Sequence, residues 1–378
     1  MTKKKRMKKI FCILMLFSLS IILQAQEKNS SNLFIGTFTS EGAEGIYLCS
    51  FNNTTGSLTL RQVFKGIDNP SFIKISPDKN FLYAVTRPET SVEVSGGYVQ
   101  SYLIKDEGNL QFISKQVAHG ADPCHIDISD DGKYAAIATY GGGTVSLYEI
   151  EPGGSLKPAA STIVNEGSGP NLSRQKAPHA HSIKFYPEGN FLFSADLGTD
   201  RLNILNRKGN RLEPARQSHV KLAPGAGPRH LSIHPGGKII YVINELNSTI
   251  TVVEKNSGKW KDIQTVSTLP DDFKGTSYCA DIHISPDGRF VYGSNRGHNS
   301  IAVYKTDADT NKLEWITSVS TQGDWPRNFT FSPDGQFILV ANQRSGNIAV
   351  FRIDETGIPR FTGNEVKIPA PVCLEFQQ

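Results

Sequence analysis

Along most of the chain the apolar residues fall in short runs of period two, the signature of half-buried strands, and one turn recurs between the runs. It reads Ile75-Ser-Pro-Asp78, Ile128-Ser-Asp-Asp-Gly132, Phe185-Tyr-Pro-Glu-Gly189, Ile233-His-Pro-Gly-Gly237, Ile284-Ser-Pro-Asp-Gly288 and Phe331-Ser-Pro-Asp-Gly335. Proline presets φ at the first corner and glycine accepts positive φ at the last, so each copy is a tight reversal between two strands. The copies stand about 50 residues apart, a spacing typical of repeat architectures. No repeat unit carries a helical pattern, so the predicted fold class is all-β.

One unit shows the grammar. His230-Leu-Ser-Ile-His234 alternates into its turn and Ile239-Ile-Tyr-Val-Ile243 runs back. Thr249-Ile-Thr-Val-Val253 follows a polar loop, and a less regular fourth strand lies around Ile263-Gln-Thr-Val266. Four antiparallel strands in about 50 residues make a β-propeller blade. The chain ends supply one blade more. Leu33-Phe-Ile-Gly-Thr37 and Gly45-Ile-Tyr-Leu48 read as second and third strands lacking a first, while Pro371-Val-Cys-Leu-Glu-Phe376 matches the first strand Pro70-Ser-Phe-Ile-Lys-Ile75. Pairing the N- and C-terminal strands gives a seven-bladed β-propeller of four-stranded antiparallel blades, closed so that no sheet edge remains between the termini. Residues 26–378 then form a single domain. Gly141-Gly-Gly143 and the stretch from Ser155 to Pro170 fall between strands and read as loops.

A scaffold repeat carries scaffold residues, so chemistry is sought where equivalent positions diverge into polar types. The turn anchors are Pro77, Asp130, Pro187, Pro235, Pro286 and Pro333. Six residues before them stand Ser71, Cys124, His181, Arg229, Ala280 and Arg327; five before stand Phe72, His125, Ser182, His230, Asp281 and Asn328. Ten residues after stand Arg87, Tyr140, Leu197, Glu245, Arg296 and Gln343. The first sets begin the innermost strand and the last ends its neighbour, so they open on one face around the central channel, and the turns line the other face. His181, the pair Arg229 and Glu245, and Arg296 come from three consecutive blades. Charges beside a partly desolvated channel are costly unless paired or offered a ligand, and the two arginines outnumber the carboxylate. His181, Arg229, Glu245 and Arg296 are the predicted catalytic residues. Arg87 and Arg327 extend the positive rim and, with His125 and His230, are the candidate substrate-binding residues. An interblade salt-bridge network is the structural alternative.

Composition changes the picture at one end. Lys3, Lys4, Lys5, Arg6, Lys8 and Lys9 precede an uncharged apolar run from Ile10 to Leu23 that closes in Leu23-Gln-Ala25. That is the layout of a secretory signal, and the run is shorter than the roughly 20 residues a membrane helix needs. Residues 1–25 are therefore expected to be cleaved after Ala25, leaving an exported, periplasmic protein with no stable membrane insertion. The formal charge of +4 includes these six positive residues, so the mature chain carries −2. A nearly neutral surface without a basic run offers no electrostatic basis for nucleic-acid binding. Beyond Cys12, the residues Cys49, Cys124, Cys279 and Cys373 lack CxxC or zinc spacing and read as small buried apolar groups. There is no GxSxG elbow, HExxH helix, phosphate loop or dinucleotide-binding GxGxxG, so no cofactor and no metal is expected. Oligomeric state has no sequence signal.

Six segments carry a family likeness: Pro178-His-Ala-His-Ser182, Asp196-Leu-Gly-Thr-Asp-Arg201, Gly225-Ala-Gly-Pro-Arg-His230, Val242-Ile-Asn-Glu-Leu-Asn247, Ala280-Asp-Ile-His-Ile-Ser-Pro-Asp-Gly288 and Ser294-Asn-Arg-Gly-His-Asn299. Through them the chain resembles the seven-bladed propeller lactonase family over essentially its whole mature length. That family includes a bacterial 6-phosphogluconolactonase and the fungal carboxy-cis,cis-muconate cyclase. The resemblance implies hydrolysis of a small anionic sugar lactone, first of all 6-phosphogluconolactone, and lays the family's active-site His, Arg, Glu and Arg on His181, Arg229, Glu245 and Arg296. Under it, the arginines grip the substrate anion bidentately and stabilise the oxyanion, in an order left open. Glu245 would activate water and His181 protonate the leaving alkoxide, or the reverse.

Other readings stay open at this stage. A lactonizing cyclase, adding a carboxylate across a double bond, would use the same cationic pocket. Nine residues after the anchors, Thr86, Thr139, Asp196, Asn244, Asn295 and Asn342 form an oxygen-rich ring suited to a hard cation such as calcium, although such side chains at strand ends usually satisfy their own turns. A non-catalytic exported propeller would use the same mouth to hold an anionic ligand or a partner loop.

Overall fold

Four of the six recurring turns are locked by a serine and an aspartate of their own. In the computed structural model, which describes residues 29–88, 96–187 and 189–377, Ser285 Oγ donates to Asp287 at 2.6 Å and accepts from Phe290 N at 2.9 Å. Ser76, Ser129 and Ser332 make the same bond to Asp78, Asp131 and Asp334. Gly288 and Gly335 take φ of 76° and 70°, and in the copy without glycine Lys79 takes the left-handed conformation instead, at 67°.

These reversals build seven four-stranded antiparallel sheets. Blade 1 joins the ends of the chain: Pro371–Gln377 pairs with Ser30–Thr37, placing Leu33 opposite Phe376 and Ile35 opposite Leu374. Blades 2 to 7 follow in chain order, with innermost strands Pro70–Ile75, Pro123–Ile128, Ala180–Phe185, Pro228–Ile233, Tyr278–Ile284 and Pro326–Phe331. Both faces of each blade are apolar, so the hydrophobic core is divided among the interblade seams. Phe193, Leu202, Leu231, Val242 and Trp260 fill the seam between blades 4 and 5. Leu33, Phe51, Phe337 and Val350 fill the closing seam between blades 7 and 1.

One expectation is corrected. The stretch from Ser155 to Pro170 is not wholly loop, because Ser161–Val164 is the outer strand of blade 3, paired with residues 144–147. It is short and half exposed, flanked by small and polar residues, and so gives no distinguishable alternation. Cys49, Cys124, Cys279 and Cys373 are buried free thiols. The expected signal segment, residues 1–25, lies outside the described residues, among which no helix is long and apolar enough to cross a membrane.

One irregularity recurs and sets up the channel mouth. The ladder between the two inner strands skips a residue at Ser71, Cys124, His181, Arg229 and Arg327. In blade 6 the slip takes in both Ala280 and Asp281. A bulge interrupts strict alternation and re-aims the extra side chain. Sequence neighbours can then face the same space, as Arg229 and His230 do: Arg229 Nη1 lies 3.1 Å from His230 Nε2.

Candidate active site

The mouth converges on one carboxylate. Glu245 directly follows the strand Ile239–Asn244 of blade 5, and its Oε2 accepts from Arg229 Nε at 3.1 Å and from Arg296 Nη2 at 2.8 Å. Arg174 Nη2 donates to Oε1 at 2.6 Å. Arg229 and Arg296 are further fixed by the carbonyls of Ala280 and Cys279, at 2.5 and 2.8 Å. Arg229, Glu245 and Arg296 are only 2%, 4% and 5% exposed, so their charges are desolvated and depend on one another. Burial on its own would raise the Glu245 carboxyl, but Arg296, Arg229 and Arg174 outweigh it and hold the group at about 2. Burial and the neighbouring Arg296 push the Arg229 guanidinium down to about 10, which leaves it cationic at neutral pH.

Positive charge exceeds negative here. Three guanidiniums share Glu245, and Arg296 Nε is buried without a hydrogen-bond partner. Burial, then Arg229, Arg296 and Arg87, push the Arg327 guanidinium well below its ordinary range. Among the described residues Arg327 has no carboxylate partner; its guanidinium lies over the Phe38 ring, 4.9 Å from the centroid. Arg87 sits over the same ring at 4.8 Å and reaches Asp122 at 3.4 Å. The predicted rim residues Arg87 and Arg327 thus stand together around Phe38, which sequence reasoning did not single out.

Arg174 was also missed, and the repeat held no signal for it because it lies in the connection between blades 3 and 4. A buried amide ties that connection down. Gln175 Nε2 donates to Leu197 O at 2.8 Å and Asp200 Oδ1 at 2.7 Å, and Asp200 also accepts from Gly225 N and Gly227 N. One network therefore sets both Arg174 and the lead into Arg229. Gly227 is required there: its φ is 65°, and a Cβ would fall 2.4 Å from the Leu246 side chain.

His181, bulged out of blade 4, is buried, with its ring edge-on to Tyr140 and His230 at centroid distances of 5.4 and 5.5 Å. Its Nδ1 has no hydrogen-bond partner. Burial, Arg229 and His230 push its pKa well below 6.5, so the ring is neutral at physiological pH. A neutral imidazole with an unspent nitrogen beside several guanidiniums is equipped to move a proton.

His230 is engaged on both sides. Its Nε2 faces Arg229 Nη1, which can only donate, so Nε2 accepts and the proton sits on Nδ1, 2.7 Å from Asp281 Oδ1. Asp281 Oδ2 accepts from Asn328 Nδ2 at 2.5 Å, His283 Nε2 at 3.0 Å and Phe329 N at 3.2 Å. The carboxylate orients the imidazole and the imidazole orients Arg229. Burial and Arg229 hold His230 at about 4 against the opposing pull of Asp281. His125 stacks on Phe72 at 4.1 Å. Ring contacts run from Phe72 through His125 and His230 to His181, closing the floor of the mouth. His125 and His230 also line a cavity of about 320 Å³ on the turn side of this floor.

Most polar atoms of the oxygen-rich positions turn to local work, while Asn244 Oδ1 and Asn342 Oδ1 are buried without a hydrogen-bond partner. Asp196 accepts from His179 N, Gly198 N and Asn165. Asn244 donates to Thr249 and Thr251, Asn295 to Thr268 O, and Asn342 to Thr321 O. Among the described residues no group of three or more His, Cys, Asp or Glu is placed to hold a metal ion.

A family model described as "Lactonase, 7-bladed beta-propeller" matches residues 32–376. A Bacillus subtilis protein named 6-phosphogluconolactonase is 36% identical over 346 residues, 91% of this chain and 97% of the relative. A Formosa agariphila protein of the same name is 36% identical over 308 residues, 79% of this chain and 85% of the relative. Among solved structures, the periplasmic gluconolactonase of Pseudomonas aeruginosa matches with a TM-score of 0.85 and 31% identity, covering 92% of this chain and 99% of its own.

Proposed function

The chain belongs to the seven-bladed β-propeller lactonase family, and from that premise we propose that it hydrolyses an anionic sugar lactone, foremost 6-phosphogluconolactone, to the open hydroxy acid. The observation that carries this is the unbalanced charge of the mouth: Arg174, Arg229 and Arg296 around Glu245, with Arg327 beside them. Such a surplus inside a desolvated wall favours an anion as the missing partner, and a guanidinium fork fits phosphate and carboxylate oxygens in pairs.

The same groups account for ring opening. Water adds to the lactone carbonyl while a guanidinium of Arg229 or Arg296 meets the oxygen on which negative charge develops. His181, neutral and with Nδ1 unspent, takes the proton from the attacking water and returns it to the ring oxygen as the acyl–oxygen bond breaks. Atoms balance: one water is consumed and one hydroxy acid is formed, whose carboxyl then ionises. Both assignments open in the sequence divided the two proton transfers between Glu245 and His181; this one departs from them and gives both transfers to His181. A carboxylate held at about 2 by three arginines has little affinity for a proton, so Glu245 serves to align the guanidiniums.

Export belongs with this reading. The basic and then apolar order of residues 1–25 supports a cleaved signal and a mature chain of 26–378, and the Pseudomonas aeruginosa neighbour is itself a periplasmic protein. The test is a pH-indicator assay of wild type, Glu245→Gln and Arg229→Lys over 6-phosphogluconolactone, glucono-δ-lactone and other aldonolactones, beside fractionation of native cells. Hydrolysis above the spontaneous rate, lost in both variants, supports the assignment. Wild-type turnover in both variants refutes it. Silence with every lactone, joined to thermal stabilisation by an anion, would mark a binding protein instead.

A further inference from the structure

A scaffold position repeated around the ring carries an unexpected residue in blade 7. In five blades the residue just before the proline that opens the innermost strand lies in the left-handed region: Asn69 at φ 40°, Asp122 at 54°, Gly227 at 65°, Trp325 at 68° and Ala370 at 41°. Asn, Asp and Gly are the types that accept this conformation at low cost, and a bulky aromatic residue there is an outlier. The backbone of Trp325 is clamped in place: its N–H donates to Asn299 Oδ1 at 3.0 Å, and its carbonyl accepts from Gln343 N at 3.0 Å. Strain of this kind persists where the surroundings over-determine it, and it gathers at functional sites.

The side chain lies beside the mouth. The Arg296 guanidinium is over the Trp325 ring, 5.3 Å from the centroid, and Arg344 covers the ring at 3.4 Å. Two residues further on comes Arg327. Arg296 needs such a contact, because the same Nη2 serves both Glu245 and the Cys279 carbonyl, while its buried Nε has no partner. A guanidinium held at one nitrogen can swing about that point, and an aromatic face beside it removes the freedom.

We infer that Trp325 is a positioning residue, kept at a strained site because its ring holds Arg296 with unspent donors turned to the substrate anion. This rests on the mouth being a lactone site. Its consequence is a trade of stability for binding, in which the scaffold-preferred residue improves the fold and weakens the site.

The test compares wild type, Trp325→Asn and Trp325→Phe by kcat and KM on 6-phosphogluconolactone, by ligand-free Tm, and by the Tm shift that the product anion 6-phosphogluconate produces. Trp325→Asn is expected to keep a ligand-free Tm at or above wild type, to raise KM about tenfold with a smaller change in kcat, and to lose most of the anion-induced shift. Trp325→Phe, which keeps a ring, is expected to restore most of the wild-type KM and shift. Wild-type KM and shift in Trp325→Asn, or a ligand-free Tm several degrees below wild type, overturns the inference while leaving the lactonase reading intact. Should no variant and no wild type hydrolyse a lactone, the lactonase reading fails alone, and the 6-phosphogluconate Tm shift still decides the part played by Trp325.

Discussion

On the turn side of the channel floor, Lys74 meets Glu375 at 2.7 Å and Lys184 meets Asp127 at 3.3 Å, each pair bridging two blades. At the mouth, Arg174, Arg229 and Arg296 divide one carboxylate among them and Arg327 has none among the described residues. Both regions are lined by inner strands of the same repeat. The difference lies in pairing: the charges that bridge blades on the turn side are matched one to one, whereas those of the mouth are in excess, as the proposed anionic substrate would require. Counting charges without matching them would have missed this, since both ends of the channel are rich in ionisable groups.

Four perturbations probe the contrast, beginning with the strongest. Arg229→Lys keeps the charge but loses the fork that spans Glu245, His230 and the Ala280 carbonyl. It should lower kcat/KM on 6-phosphogluconolactone by about 10²–10³; a loss below threefold would show that the fork has no part in the reaction.

Acid should next unsettle the mouth through its histidines. His230 lies at about 4 when folded against an ordinary 6.5, with Arg229, Asp281, His283, His125 and His181 around it. Between those values the unfolded chain takes up a proton that the folded chain refuses, so this contribution is complete above pH 6.5 and is lost as pH falls toward 4. The loss is about 3 kcal/mol. His181, also depressed, acts in the same direction. Urea unfolding of wild type and His230→Asn across pH 7 to 4 measures it; equal slopes for the two proteins would contradict the assignment.

Asp281→Asn should act more mildly and at a distance. It removes the acceptor that fixes the His230 tautomer, and kcat/KM should fall about tenfold, with the activity lost mainly from kcat. Unchanged kinetics would mean that Arg229 needs no such support. The smallest effect belongs to the turn side. Replacing Lys74 and Glu375 together by methionine should leave kcat/KM within twofold and stability within about 1 kcal/mol, because a matched, partly buried pair is close to break-even against an apolar pair. A large kinetic loss there would erase the distinction between the two regions.

How far the molecule can be read from its residues follows the same division. The blades, their Ser-Pro-Asp-Gly turns and the closure through Pro371–Gln377 are local patterns repeated until they are unmistakable, and positions that break a repeat stand out against it. His181, Arg229, Glu245 and Arg296 were legible for that reason, and the structure brings all four to one mouth. Arg174 was not, because it lies on a connection outside the repeat and reaches Glu245 only through the fold. The bulges at His181 and Arg229 were also hidden, since an extra residue leaves no mark in a short alternating run. Asp281 was visible as a departure from its siblings, but only its bonds to His230, His283 and Asn328 reveal its use. Trp325 looks like any aromatic residue until its φ is known.

The central claim is that the unmatched charge of the mouth serves lactone ring opening with His181 moving the proton. Its most direct measurement is the steady-state rate of proton release from 6-phosphogluconolactone by wild type and by His181→Asn, followed across pH. Wild type should exceed the spontaneous rate with an acidic limb below pH 6.5, and His181→Asn should lose about 10²–10⁴ in kcat. A wild type indistinguishable from buffer, or a His181→Asn variant with wild-type kcat, would contradict it.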